Sequence, residues 1–406
     1  MDINEKKILT ITSAAHFITH LFILVFPALV MPISRDLSIT VAEVIPISFP
    51  MYLCYGILSI PWGYSSDRIG PKWIMGSGIF IAGIGFIAAS YAQSIIQFTI
   101  FFGIIGLGCS AYHPSGLSLL SRGMHLRGKA MGINGLWGNF GIACAPLIAG
   151  ILSYWIGWKS ALIIFGIMGI IFGIVCFIVP FSVGKVDLQK GSSIEKREAA
   201  TFFIILCITM LFSGLMYRSY TTILPTFFES KLSDLTSFMY KIIGTGIITP
   251  AEGTLMATII TCSVYLVGMI GQMIGGRVAD RYDLRWSYLI FFSCAFPFIL
   301  SLRFFEGPIL IILAAFFILF SLGMQPIENS LVAIVTPPQW RSLSYGIKFS
   351  IVFGAGSLAI HLISFVEYKF GLDSIILLIA ALLFMLIFVI IIFLFISRGT
   401  SIRHKH

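Results

Sequence analysis

The chain has 406 residues, 58% of them hydrophobic and only 11% charged, with a mean hydropathy of +0.99. Soluble domains carry roughly 25% charged residues, so water is excluded as the main solvent. The formal net charge of +9 is scattered without a basic run or interleaved aromatics, which excludes a nucleic-acid surface and fits the Lys/Arg surplus of cytoplasmic membrane loops.

Twelve apolar segments follow in chain order, near 8–31, 41–62, 73–91, 94–120, 130–153, 159–180, 201–229, 253–276, 286–303, 308–334, 343–366 and 372–397. A membrane crossing takes about 20 apolar residues. In lipid the backbone must satisfy itself, so the segments are predicted to be helices. They are too long for the strands of a barrel, which span in about 10 alternating residues. The first segment is also too long for a cleavable signal and reads as a retained helix. The predicted fold class is an all-α membrane protein with 12 transmembrane helices in two pseudo-symmetric six-helix bundles.

The bundles are predicted at 1–181 and 200–406. A charged linker, 182–199, joins them and carries Lys185, Lys190, Glu195, Lys196, Arg197 and Glu198. With the N-terminus inside, 18 of the 26 Lys and Arg fall on the cytoplasmic side: residues 6, 7, 68, 72, 122, 127, 129, 185, 190, 196, 197, 277, 281, 285, 341, 398, 403 and 405. That asymmetry predicts a cytoplasmic (inner) membrane protein with both termini inside. The longest outer loop, 230–252, is predicted to carry a short interfacial helix near 238–243. The seven cysteines (54, 109, 144, 176, 207, 262, 294) lie in or near apolar runs without a Cys-x-x-Cys pair, and read as small core residues. There is no Walker-type phosphate loop and no sequon, so ATP hydrolysis by this chain is not expected.

The halves repeat. Gly63-Tyr64-Ser65-Ser66-Asp67-Arg68-Ile69-Gly70-Pro71-Lys72 is echoed by Gly276-Arg277-Val278-Ala279-Asp280-Arg281-Tyr282-Asp283-Leu284-Arg285, at an offset of 213. Each reads as a polar loop between apolar runs, with Gly four positions before Asp-Arg. Arg127, Gly132 and Asn134 recur as Arg341, Gly346 and Lys348 at an offset of 214. Two agreeing offsets imply a duplicated six-span unit, the parallel repeat of the major facilitator superfamily.

The residues themselves resemble that superfamily over essentially the whole chain. The 63–72 stretch looks like its Gly-x-x-x-Asp-Arg-x-Gly-Arg-Lys signature, with Pro71 where Arg is usual. Segment 5 reads Gly132-x8-Gly141-x3-Ala145-Pro146-x2-Ala149-Gly150, similar to the motif of the superfamily's antiporters. A narrower likeness is to the fosmidomycin-resistance-type efflux group. It rests on His16-Phe17 with Pro27-Ala28-Leu29, on Ser110-Ala111-Tyr112-His113-Pro114, on Gly138-Asn139-Phe140-Gly141, and on Arg218-Ser219 before Leu224-Pro225. The chain departs at Thr19-His20, where that group carries Asn-Asp, and at Ser115, where it carries Glu.

The resemblance implies a secondary transporter working by alternating access. The substrate would be a small organic anion or amphipathic compound, with protons as coupling ion and export as the direction. The alternatives are a proton symporter or facilitator for uptake, of a small metabolite or metal complex, and more remotely a membrane sensor or intramembrane enzyme. A monomer in a lipid bilayer, with a small-molecule substrate, no nucleic acid and no cofactor, is expected.

Ionisable residues inside membrane helices are costly and mark function by default. Here they are Arg218, Glu328, Lys348, His16, His20, His113 and His361, all on helices that line the superfamily's cavity. Arg218 offers a planar donor fork for carboxylate, phosphate or phosphonate, or else serves a structural pair. Glu328 and Lys348 form either a buried ion pair or a switch in which the carboxylate takes a proton when Lys348 withdraws. His16 and His20, four apart on one helix face, are expected with His113 to contact protons or substrate. Hydrogen bonding alone and a divalent-cation site are the other readings, and no metal is assigned. Asn134, Trp137 and Asn139 complete the expected substrate contacts. Glu328, His20 and His113 are the proton-coupling candidates. Asp67, Arg68, Lys72, Asp280, Arg281, Arg122 and Arg127 are assigned to gating, with Asp67 bracing the positive end of helix 11. Pro114 is predicted to break helix 4, and Gly132, Gly138, Gly141, Ala145 and Ala149 to allow close packing.

Overall fold

A computed structural model of the chain describes residues 1–125, 127–180, 196–231, 249–336 and 341–398, and among the described residues there is no strand. Among those residues eleven helices are long and apolar enough to cross a membrane: α1 Ile3–Leu37, α3 Pro71–Ser90, α4 Ile95–Leu120, α5 Ala130–Ile156, α6 Trp158–Ile178, α7 Glu198–Ser230, α8 Pro250–Arg281, α9 Leu284–Ser301, α10 Ile309–Val335, α11 Ser344–Phe370 and α12 Ser374–Ile396. A pair bent by 45°, Val41–Ile57 and Ser59–Ile69, supplies the twelfth, α2. Most of the linker read at 182–199, and the short helix read at 238–243, lie outside the described residues.

The helices overrun their apolar stretches, because backbone hydrogen bonding does not stop where hydropathy falls. At the start of α1, Asp2 accepts from the Glu5 N–H at 2.7 Å while Glu5 accepts from the Asp2 N–H at 3.1 Å, a reciprocal cap. The polar repeat departs from the loop predicted for it. Gly63–Ile69 is helical, and the turn is Gly70 alone, at φ +110°, followed by Pro71 at the first position of α3. In the second copy Gly276–Arg281 completes α8, and Asp283 caps α9 through the Arg285 N–H at 3.0 Å.

Two compact units emerge. One holds α1–α6 with Thr249–Cys262 of α8; within it Arg35 donates to Thr254 Oγ1 at 2.5 Å. The other holds α7, α8 from Ser263 onward, and α9–α12. In the first, α1 lies along α5, α3 along α6, and α4 packs on α2 and α3. In the second, α7 packs on α11 and α12, and α9 on α10 and α12. The pairings α1–α5, α3–α6 and α3–α4 thus return as α7–α11, α9–α12 and α9–α10, the architecture expected of a duplicated unit. A further repeat element appears at Gly157 and Gly371, which stand at the same offset as Asn134 and Lys348. Each has positive φ (80° and 79°) and follows the fifth span of its half, a conformation that glycine adopts freely.

Small residues set the helix spacing. A Cβ at Gly83 would collide with the Gly166 carbonyl across the α3–α6 seam, and one at Gly141 with the Phe17 carbonyl of α1. Gly132 departs from the packing role predicted for it, since a Cβ there would meet nothing within 4 Å. Helix α11 is irregular, with a wide turn at Ser350–Gly354 and a tight one at Ala355–Leu358, where Gly356 lies against Gly214 of α7.

Candidate functional site

In the first unit the ionisable residues gather around a break in α4. The helix halts after Cys109 and restarts at Tyr112. Pro114 has no N–H to offer the Ser110 carbonyl one turn back. The restart presents Tyr112 and His113 to α1. His16 and His20, one turn apart on α1, have their Nε2 atoms 3.1 Å apart. One ring nitrogen from each of His16, His20 and His113 lies within 4.8 Å of the others. The His16 Nδ1 sits 2.9 Å from both the backbone carbonyl and the Oδ1 of Asn134 on α5. Since the backbone carbonyl can only accept, Nδ1 is the protonated nitrogen and His16 Nε2 keeps its lone pair. Tyr112 donates to the same Oδ1 at 2.9 Å, and the Tyr55 hydroxyl of α2 is 2.8 Å from His113 Nε2. Gly138 of α5 leaves room for the His16 ring; a Cβ there would meet it. Trp137 is exposed and packs edge-on to Phe17 and Phe140, outside the histidine group, and Asn139 is half-buried.

The second unit repeats the device with different chemistry. Helix α10 is interrupted at Met324 and restarts with Pro326 in its first turn, one to two positions short of the site equivalent to Pro114 in the other half. Glu328 lies in that first turn and is 2% exposed. Its Oε1 is 2.7 Å from Lys348 Nζ on α11. Its Oε2 accepts from the Tyr288 hydroxyl of α9 at 2.6 Å and from Ser213 Oγ of α7 at 3.3 Å. Lys348 also donates to Asn329 Oδ1 at 2.5 Å. Asn134 and Lys348, equivalent positions of the repeat, are thus the α5 and α11 anchors of their respective clusters. Arg218 on α7 is 1% exposed, with its Cζ 5.8 Å from the centroid of the Tyr217 ring. His361 of α11 is exposed and belongs to neither cluster.

Residues 11–258, more than half of the chain, match the family model of the Major Facilitator Superfamily. The chain belongs to the major facilitator superfamily. Among its relatives is the uncharacterized MFS-type transporter YfnC of Bacillus subtilis (strain 168), 23% identical over 359 residues and covering 86% of this chain and 84% of that one. The probable L-galactonate transporter of Escherichia coli (strain K12) is 23% identical over 271 residues, covering 62% of this chain and 56% of its own length. Among solved structures, a bacterial homolog of the human lysosomal transporter Spinster superposes with a TM-score of 0.74 at 14% identity, over 100% of this chain and 99% of that one. The peptide transporter POT in complex with sulfate gives 0.74 at 13% identity, over 98% and 96%. Likeness at such identities shows the fold. Membership places the chain among integral membrane transporters rather than enzymes.

Of the superfamily's signature residues, Asp67, Arg68, Asp280 and Arg281 are exposed, with the Arg68 guanidinium 4.0 Å from the Tyr64 ring centroid. The side chains of Arg122 and Arg127 lie outside the described residues. The last cation of each copy has a defined partner. Lys72 Nζ donates to the Val179 carbonyl at the end of α6 at 2.7 Å. Arg285, its equivalent in the second copy, donates to the Ser397 carbonyl at the end of α12, and through Nη2 to Asp283 at 2.7 Å. A cation on the last carbonyls of a helix satisfies orphan acceptors and opposes the negative end of the dipole. Lys72→Met and Arg285→Met are therefore each expected to lower stability by about 1–2 kcal/mol, read as thermal unfolding in detergent. If Lys72→Met abolishes transport with no change in melting, gating rather than capping is its role.

Sequence reasoning missed Tyr55, Tyr112, Tyr288, Ser213 and Asn329. Tyr112 and Asn329 adjoin residues that were singled out. Tyr288 lies on α9, a helix with none of the intramembrane ionisable residues singled out; its signal is that a buried phenol must find a partner.

Proposed function

We propose that this protein is a proton-coupled secondary transporter of a small organic anion, acting as a monomer in the cytoplasmic membrane by alternating access. The six-span halves, 1–181 and 200–406, would have their termini and linker inside, as the distribution of Lys and Arg supports. The observation that carries the reading is the buried Glu328–Lys348 pair at 2.7 Å. Proton uptake by Glu328 discharges its half of the pair and frees an ammonium for an anion. Arg218 adds a second buried cation on α7, with a fork suited to carboxylate or phosphonate.

Likeness to the fosmidomycin-resistance-type group argues for export in exchange for protons. The ion pair itself favours symport as a second reading: an anion that takes Lys348 leaves Glu328 to be neutralised by a proton, so the two load together. Purified protein in liposomes, offered a panel of organic anions under pH gradients of either sign, separates them. An acid interior drives accumulation by antiport and an acid exterior by symport; equal rates without a gradient sink both. Glu328→Gln is expected to abolish gradient-driven accumulation while preserving downhill exchange. If accumulation survives, the proton carrier is elsewhere, with His20 the next candidate.

A further inference from the structure

Three imidazoles in the first unit have no part in that electrostatic cycle. His16, His20 and His113 are each about nine-tenths buried, and their ring nitrogens converge to within 4.8 Å. We propose that they bind one divalent first-row transition ion of the zinc class. Imidazole is a ligand these ions take readily, and among the described residues the cluster includes no carboxylate, the group calcium and magnesium need.

One edge of the cluster already has the spacing such an ion requires, and the remaining separations, up to 4.8 Å, close by about 1.5 Å on binding. In a zinc tetrahedron with Zn–N of about 2.0–2.1 Å, two ligand nitrogens stand roughly 3.3 Å apart; the His16 and His20 Nε2 atoms are at 3.1 Å. A metal-bound histidine characteristically donates its other N–H to an oxygen, which fixes tautomer and ring orientation. His16 is already so held, its Nδ1–H on the Asn134 carbonyl and its Nε2 lone pair turned to His20. Tyr55 can do the same for His113: if His113 Nε2–H donates to the Tyr55 oxygen at 2.8 Å, Nδ1 is left as the ligand. His20 binds by moving its Nε2 proton to Nδ1, so every ligand is a neutral imidazole and the charge at the site is the ion's own. Three protein ligands leave a fourth corner open, and a small anion there would offset a dication held in a medium of low polarity.

The site is made wholly within the first unit, and its test reads bound metal rather than transport, so it is decided separately from the Glu328 reading. The test uses full-length protein without an affinity tag, stripped with a chelator, loaded with Zn²⁺ and desalted. Elemental analysis is expected to find one equivalent of zinc per chain. X-ray absorption should report three imidazole nitrogens at about 2.0 Å, and Co²⁺ loading should give the intense visible bands of a tetrahedral site. His20→Gln and His113→Gln should each lose the stoichiometric metal, and Asn134→Ala should weaken binding roughly 10–100-fold. A His404→Ala/His406→Ala variant, which removes the histidines at the C-terminal end of the sequence, should keep it. Absence of stoichiometric zinc, or zinc retained in both His20→Gln and His113→Gln, overturns the proposal. Where a variant does not fold, the wild-type absorption spectrum decides: fewer than three imidazoles on the ion also overturns it.

Discussion

Lys348→Met alone is expected to destabilise the protein by about 3–5 kcal/mol, whereas Glu328→Leu combined with Lys348→Met should cost far less. Among the described residues, the single change leaves a carboxylate, 2% exposed, held by the Tyr288 and Ser213 hydroxyls. Two neutral donors do not replace an ammonium at 2.7 Å. The converse change, Glu328→Leu, strands the ammonium with Asn329 as its neutral acceptor. Removing both charges abolishes the desolvation penalty along with the attraction, and buried pairs replaced by apolar residues of similar volume are often neutral or more stable. A double-mutant cycle on unfolding in detergent therefore should show a large coupling in which the second substitution rescues the first. Additivity within about 0.5 kcal/mol would show that the charges do not share one desolvated site. The double variant is also expected to be inactive in gradient-driven transport. A double variant as stable as the parent yet inactive would assign the pair to the proposed transport cycle rather than to the fold.

How far the sequence led differs between fold and site. Hydropathy gave twelve spans because a bilayer imposes a length that composition can be measured against. The duplication was legible where identical residues recur at one interval, as at Gly63/Gly276, Asp67/Asp280 and Arg127/Arg341. It was not seen at Gly157/Gly371, where only the backbone conformation reveals the shared need. The stretch 63–72 is not a loop because charge and glycine do not by themselves break a helix; at a membrane surface, water solvates the side chains while the helix continues, and Gly70-Pro71 alone ends it. The ionisable members of both clusters were found from their cost in lipid. Of their partners Asn134 was named, but Asn329 and the hydroxyls were not. Tyr288 and Ser213 bear on Glu328 only because α9, α10 and α7 meet at that depth, and spacing along one helix says nothing of what the neighbouring helix presents. The breaks in α4 and α10 fall in the same region of each half, and each holds an ionisable residue within two positions of a proline. Pro114 was recognised as a breaker; Pro326 does the same for Glu328.

The second unit depends on a seam of glycines where α8 crosses α10, and there Gly275→Ala is expected to cost about 1–3 kcal/mol, with Gly271→Ala/Gly275→Ala costing more. A Cβ at Gly271 would run into the Leu319 carbonyl, and one at Gly275 into the Gly323 carbonyl. Backbone atoms cannot rotate away as a side chain can, so the two helices must part. Gly323 directly precedes the Met324 interruption from which α10 restarts toward Glu328. Displacing it therefore moves the carboxylate relative to Tyr288 and Lys348, and transport should fall with stability. The first unit meets the same need from the opposite side: on α4, a Cβ at Gly106 would strike the Met51 carbonyl of α2. Gly106 and Leu319 are separated by the same interval as Gly63 and Gly276. The close approach of the two helices is common to both halves, while the glycine that permits it has changed helices. Gly276→Ala is the matched control, since nothing lies within 4 Å of a Cβ there. It should leave stability within about 0.5 kcal/mol, or raise it slightly through the better helix propensity of alanine. Parallel thermal unfolding of the two variants distinguishes the cases, and a Gly275→Ala protein that melts with Gly276→Ala would mean that the α8–α10 crossing is not held at backbone contact.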